Sequence, residues 1–142
     1  MTNPVTLPME EKFAIMELIT RYNHAVDGGD PDGVAECFLE DGRFEGRSGL
    51  FVGRAEIRRL GMTVTPALLP RHIVSNILVE PSQTEENAAH VKSHLFFYEV
   101  TPAGFHFKTS GIYTDVVIRK NGQWKFRSRK MTLDVARATE TS

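Results

Sequence analysis

Two side chains have the types and places needed for an acid/base dyad. They are His72, in the run Arg71-His72-Ile73-Val74-Ser75-Asn76, and Asp27, just past the end of the first predicted helix. With a reference pKa of about 6.5, a histidine near pH 7 can accept a proton and return it. A carboxylate bonded to one ring nitrogen fixes the tautomer and stabilises the imidazolium that forms. Asp27 also needs a partner, because a carboxylate at the negative end of a helix dipole is unfavourable by roughly 0.3–1 kcal/mol. The two can meet only if the helix folds across the sheet. Otherwise they are a solvated turn aspartate and a strand-end histidine.

Other candidates surround this pair. Tyr22 precedes Asp27 by about 1.4 helical turns; it is either a core tyrosine or a phenol able to hydrogen-bond a substrate oxygen. Arg129 and Arg127 share a face if the last strand is regular, so only a bulge or a pocket edge can distinguish them. His90 and His94 alternate with apolar residues as on a strand, where four residues span roughly 13 Å. That is too far for one metal ion, although His72, His94 and Asp27 could still form a two-histidine, one-carboxylate set. No Gly-rich phosphate loop or serine nucleophile elbow is present, and Cys37 lacks a local activating motif. The expectation is chemistry without cofactor or metal.

These residues depend on the elements that carry them. From Glu10 to Val26, apolar positions including Phe13, Ile15, Met16, Leu18, Ile19 and Tyr22 recur at helical spacing. Gly28-Gly29 supply a stop. Asp30 and Pro31 start a second helix that carries Val34, Ala35, Cys37, Phe38 and Leu39, and Asp41-Gly42 then turns the chain. A short strand is expected at Arg43–Arg47, a third helix at Arg54–Met62, and a loop at Thr63–Pro70. Four long strands follow: His72–Glu80, Ala88–Thr101, Phe105–Arg119 and Gln123–Val135. Asn121-Gly122 marks a tight hairpin between the last two. Helices first and antiparallel strands afterwards predict an α+β fold. Apolar residues on both strand faces (Ile73, Ile77 and Val79 on one, Val74 and Leu78 on the other) call for two covers, helices and a partner subunit. A homo-oligomer is therefore expected.

Bulk properties set outer bounds. The chain has 142 residues, a net charge of −1 and one cysteine. That suits one domain with a single core and offers no field for nucleic acid or another polyanion. No stretch reaches membrane-spanning length, and Glu10-Glu11 interrupt any secretory signal, so a cytoplasmic protein without an intrachain disulfide is expected. The expected organisation is a loose arm at 1–8, one domain at 9–136 and a polar tail at 137–142.

The order Tyr22…Ala25-Val26-Asp27, Gly29-Asp30…Cys37-Phe38…Asp41-Gly42, Arg71-His72-Ile73-Val74-Ser75-Asn76 and Asn121-Gly122-Gln123-Trp124-Lys125-Phe126 resembles the SnoaL-like branch of the NTF2-like superfamily, from about Glu10 to Asp134. The resemblance implies a cone: a strongly curved antiparallel sheet wrapped around three N-terminal helices, with a deep internal pocket. Within that branch the chain is similar to the cofactor-free lyases scytalone dehydratase, bile acid 7α-dehydratase and hexachlorocyclohexane dehydrochlorinase. Carried over position by position, their catalytic histidine falls on His72, its partner on Asp27, and a tyrosine or lysine five residues earlier on Tyr22. A pocket arginine falls on Arg129, and a second polar pocket residue falls near His94. The resemblance implies a dehydratase-type elimination on an apolar cyclic, aromatic or steroid-like small molecule. Phe13, Phe44, Phe51, Phe96 and Tyr98 are the candidates for the pocket wall. Isomerases, polyketide cyclases and non-catalytic binding or assembly modules share this fold, so fold alone does not choose among them. Dimers and trimers both occur.

Overall fold

The computed structural model describes the backbone of residues 3–141 and side chains through Ala138; Met1 and Thr2 of the arm and Ser142 of the tail lie outside the described residues. Helix α1, Met9–Asp27, buries Ile15, Leu18, Ile19, Tyr22 and Val26. This stripe excludes Phe13, which is 62% exposed. Gly28 caps the helix, and Gly29 turns the chain at φ 67°. An L-residue there would be strained, and its Cβ would sit 2.5 Å from Pro66. Asp30 then caps α2, Pro31–Glu36, accepting a hydrogen bond from the Gly33 N–H.

Helix α2 ends earlier than its apolar spacing suggests. Phe38 and Leu39 already belong to strand β1, Phe38–Gly46, because Phe38 pairs with Phe126 across the sheet. Tertiary pairing here overrides a local helical pattern. After β1 come β2 (Gly49–Val52), helix α3 (Arg54–Leu60) and one 3₁₀ turn at Pro66–Leu68. The long strands are β3 (Arg71–Pro81), β4 (Ala88–Thr101), β5 (Gly104–Lys120) and β6 (Gln123–Leu133). Asn121 and Gly122 both take positive φ, as a two-residue hairpin between β5 and β6 requires. The chain does not stay extended to Val135: Asp134–Thr141 forms helix α4, and Ser110 Oγ donates to the Asp134 carboxylate at its start.

The six strands form one mixed sheet in the order β2-β1-β6-β5-β4-β3. All neighbours are antiparallel except β1 and β6, which run parallel. Register shifts interrupt β3 near Asn76, the β4–β5 pair beside Phe97 and the β5–β6 pair beside Val116. Each inserts a residue and sharpens the twist, so the sheet curls around α1. The shift near Asn76 (φ 53°) also swaps faces within β3. Val74, Ile77 and Val79 pack against the core, while Ile73 and Leu78 are exposed. The simple alternation expected for this strand therefore holds only on either side of the bulge.

Candidate functional site

The end of α1 lies against the start of β3, and this contact builds the site. Asp27 Oδ1 is 2.5 Å from His72 Nδ1, and Asp27 Oδ2 accepts a hydrogen bond from the His72 backbone N–H at 3.0 Å. One carboxylate thus holds both the ring and the main chain of the histidine. Both side chains are largely buried, at 12% and 14% exposure. The negative end of α1 is compensated by these two donors. With Nδ1–H directed to Asp27, Nε2 is the nitrogen left to act on a substrate. Phe97, opposite His72 in the sheet register, stacks on its ring at 4.2 Å and 21°.

His72 forms part of the wall of a cavity of about 580 Å³ between the helices and the concave sheet. That volume lies within the roughly 300–1,000 Å³ typical of small-molecule sites. Its apolar wall includes Val26, Phe44, Leu60, Leu95, Phe97 and Met131. Tyr22, Tyr113, Thr109, Glu99 and Lys108 add polar groups, with Lys108 Nζ 3.3 Å from Glu99. A second cleft reaches the dyad from the other side, beside Asn23, His24 and Arg71.

The remaining candidates divide sharply. Tyr22 lines the cavity, and burial pushes its phenol well above the ordinary tyrosine range. Arg129 is inside the cone but behind the cavity wall. Its guanidinium carbon lies 3.6 Å from the Tyr113 ring centre, 4.4 Å from that of Tyr22 and 4.7 Å from that of Phe126. Its Nε is 3.4 Å from Asp115 Oδ1, and both side chains are fully buried. A bulge separates it from Arg127, which is on the surface in a two-point ion pair with Glu85. The arginine therefore does not line the cavity.

His94 does not reach the pocket. It is exposed and pairs with the Asn76 side chain at 3.0 Å, because strand alternation turns Leu95, not His94, inward. The alternative three-ligand metal set with His72 and Asp27 is broken by the same parity. Of the five expected wall aromatics, Phe44 lines the cavity. Phe51 supports it from behind at 6.4 Å between ring centres. Phe96 and Tyr98 lie on the convex face beside Phe107 and Phe105, and Phe13 faces outward from α1. Phe97, Glu99, Lys108 and Tyr113 are the wall residues with no distinguishing sequence signal. Their inward direction follows from a register and bulges that only pairing defines. Cys37 is buried, and burial pushes its thiol up to about 11, which makes it an inert core residue.

The SnoaL-like domain model matches residues 8–130, nearly all of the chain just described. The chain belongs to the SnoaL-like family. No curated protein matches it. Among solved structures, this SnoaL-like chain is similar to a variant of Rv3472, a Mycobacterium tuberculosis protein of unknown function. The two are 29% identical with a TM-score of 0.79, over 90% of this chain and 76% of the other. A Nostoc punctiforme protein of unknown function with a cystatin-like fold is 26% identical, TM-score 0.78, over 92% and 96% of the two chains. A Novosphingobium aromaticivorans protein with a provisional scytalone dehydratase description shares the fold at 24% identity, TM-score 0.74, over 88% and 85%. No helix among the described residues of this SnoaL-like chain is long and apolar enough to cross a membrane.

Proposed function

We propose that the protein is a cofactor-free lyase that eliminates water from a cyclic, aromatic-type β-hydroxy ketone held in the cavity. The observation that carries this reading is the His72–Asp27 contact at the wall of a mostly apolar cavity. His72 Nε2 removes the proton on the carbon next to the carbonyl, and the C–H electrons form an enolate. Tyr22 donates a hydrogen bond to the enolate oxygen. The enolate then re-forms the carbonyl and a carbon–carbon double bond as the β C–O bond breaks. The His72 imidazolium returns its proton to the departing hydroxide, so water leaves and the dyad is restored. Positioned acid/base catalysis supplies about 10²–10⁴-fold, and the remainder must come from electrostatics at the enolate oxygen. The family likeness to a dehydratase fold supports this direction.

An isomerase or cyclase would use the same first step and return the proton elsewhere. Two probes separate the readings. NMR in D₂O follows protein-dependent exchange of the α-protons of 1-tetralone, which needs only the base. Absorbance follows conversion of 3-hydroxy-1-tetralone to 1-naphthol and water, which needs elimination as well. Exchange without elimination favours the isomerase or cyclase, and neither activity favours a binding module. Asp27→Asn keeps the shape but presents an amide N–H₂ or a single acceptor to Nδ1. The expected result is a kcat loss on the order of 10²–10⁴-fold with KM little changed. An Asn variant with full exchange activity would remove Asp27 from the mechanism.

The reading includes a homo-oligomer. The convex face exposes Ile73, Leu78, Phe96, Phe105 and Phe107, with Phe96 and Phe107 stacked at 4.9 Å. Such a contiguous aromatic face is the kind of surface that a second copy covers. Sedimentation velocity is expected to show a dimer or trimer that Phe107→Glu dissociates. A monomeric wild-type chain would sink this part of the reading.

A further inference from the structure

Arg129 and Asp115 pose a problem that the dyad does not solve. Among the described residues, none of the three guanidinium nitrogens and neither Asp115 oxygen has a hydrogen-bond partner, and Ser93 Oγ nearby has none either. Burying a charge pair so poorly satisfied is costly and is weak evidence of a purely stabilising role. What the guanidinium does touch is aromatic. It lies against Tyr113 at 3.6 Å and Tyr22 at 4.4 Å, closest of all to the ring of Tyr113.

Those two tyrosines meet edge to face, with ring centres 6.5 Å apart and planes at 82°. They come from different elements, α1 and β5, yet both line the cavity that His72 lines. The Tyr113 ring packs on the guanidinium and edge-on to Tyr22, contacts that favour one ring orientation. The Tyr113 hydroxyl feels the charges of Arg129, Asp115 and Asp27 and the neighbouring Tyr22 hydroxyl. Burial pushes its phenol above the ordinary tyrosine range, while Arg129 opposes that rise. The result is a neutral donor whose ring rests on a fixed positive charge, the arrangement suited to an oxygen that becomes anionic only during reaction.

We propose that Tyr113 is a second hydroxyl donor which, paired with Tyr22, binds the anionic oxygen of an enolate or phenolate in the cavity, and that Arg129 is the positioning residue behind it. The resemblance implied pocket positions for Arg129 and His94; Tyr113 is among the polar groups that line the cavity instead. The inference rests on the proposed lyase reading for its catalytic meaning but not for its binding test.

The test uses 4-nitrophenolate as the oxyanion probe and nitrobenzene as a neutral ring of similar shape, each titrated into the full chain. Tyr113→Phe keeps the ring and its stacking and removes only the hydroxyl. It is expected to weaken 4-nitrophenolate binding about 10- to 100-fold, the range for one hydrogen bond to a charged group, and to leave nitrobenzene affinity unchanged. Arg129→Lys keeps a charge but not the flat stack. The expected result is a partial loss of the same phenolate preference, with nitrobenzene still bound, which a role limited to holding the fold would not produce. Equal losses for the two ligands, no loss for either, or failure of the wild-type chain to bind 4-nitrophenolate would each overturn the proposal. The two readings separate cleanly. Tyr113-dependent phenolate binding without tetralone exchange leaves the anion pair and rejects the lyase. Exchange and elimination with phenolate binding indifferent to Tyr113 do the reverse.

Discussion

Replacing His72 with glutamine is expected to lower α-proton exchange of 1-tetralone by about 10²–10⁴-fold, the usual contribution of a positioned general base. Glutamine fills much of the same volume and can still hydrogen-bond to Asp27, but it has no titratable nitrogen. The stability cost is limited to the loss of one charge-assisted contact and of stacking on Phe97, on the order of 1–3 kcal/mol. Circular dichroism and nitrobenzene binding should therefore be retained while exchange disappears. The comparison separates chemistry from folding. If the glutamine variant exchanges protons at the wild-type rate, His72 is an ordinary strand histidine, and the base lies elsewhere.

The second large effect concerns Arg129 and Asp115. Removing one partner of a fully buried ion pair strands the other and costs about 3–5 kcal/mol. The two removals are not equivalent. Asp115 can become neutral by taking up a proton, and burial already pushes its carboxyl from 3.8 up to about 6. Arginine cannot lose its charge. Asp115→Leu should therefore cost more than Arg129→Met at every pH, and Arg129→Met should cost less at pH 5 than at pH 8.

The sign of the Asp115 effect follows from linkage. A carboxyl raised in the fold binds its proton more tightly there than in the unfolded chain. Its contribution favours folding at low pH and is lost as pH rises from about 4 through about 6. The double variant, Arg129→Met with Asp115→Leu, should recover most of the lost stability, because well-packed apolar groups replace an imperfectly satisfied pair. Urea denaturation at pH 5 and pH 8 measures all three variants. Single-variant costs that simply add in the double variant would show that the two side chains are not energetically coupled.

Much of the organisation was legible without coordinates, and for local reasons. The stop at Gly28-Gly29, the Asp30 cap and the Asn121-Gly122 hairpin are decided within four or five residues by backbone sterics and short hydrogen bonds. The change from helical to strand period likewise separates α1 from β3–β6. The order and spacing of its motifs carried the family likeness, and the family model matches 8–130. His72 and Asp27 stood out among 5 histidines and 18 acidic residues only through their place in those motifs, at a strand start and a helix end, and through the family likeness.

What the chain did not disclose locally was direction. A strand residue faces one side or the other according to a parity of two, and a single inserted residue reverses every assignment beyond it. The bulge at Arg127 sends that arginine to Glu85 at the surface and turns Arg129 inward against Tyr113. The register of β4 turns Phe97 onto His72 and leaves His94 and Phe96 on the outside. Residue type and spacing thus determined which groups are able to do chemistry and which elements carry them. Only the paired, bulged sheet decided which of those groups share a cavity, because facing is set by hydrogen bonds between residues distant along the chain.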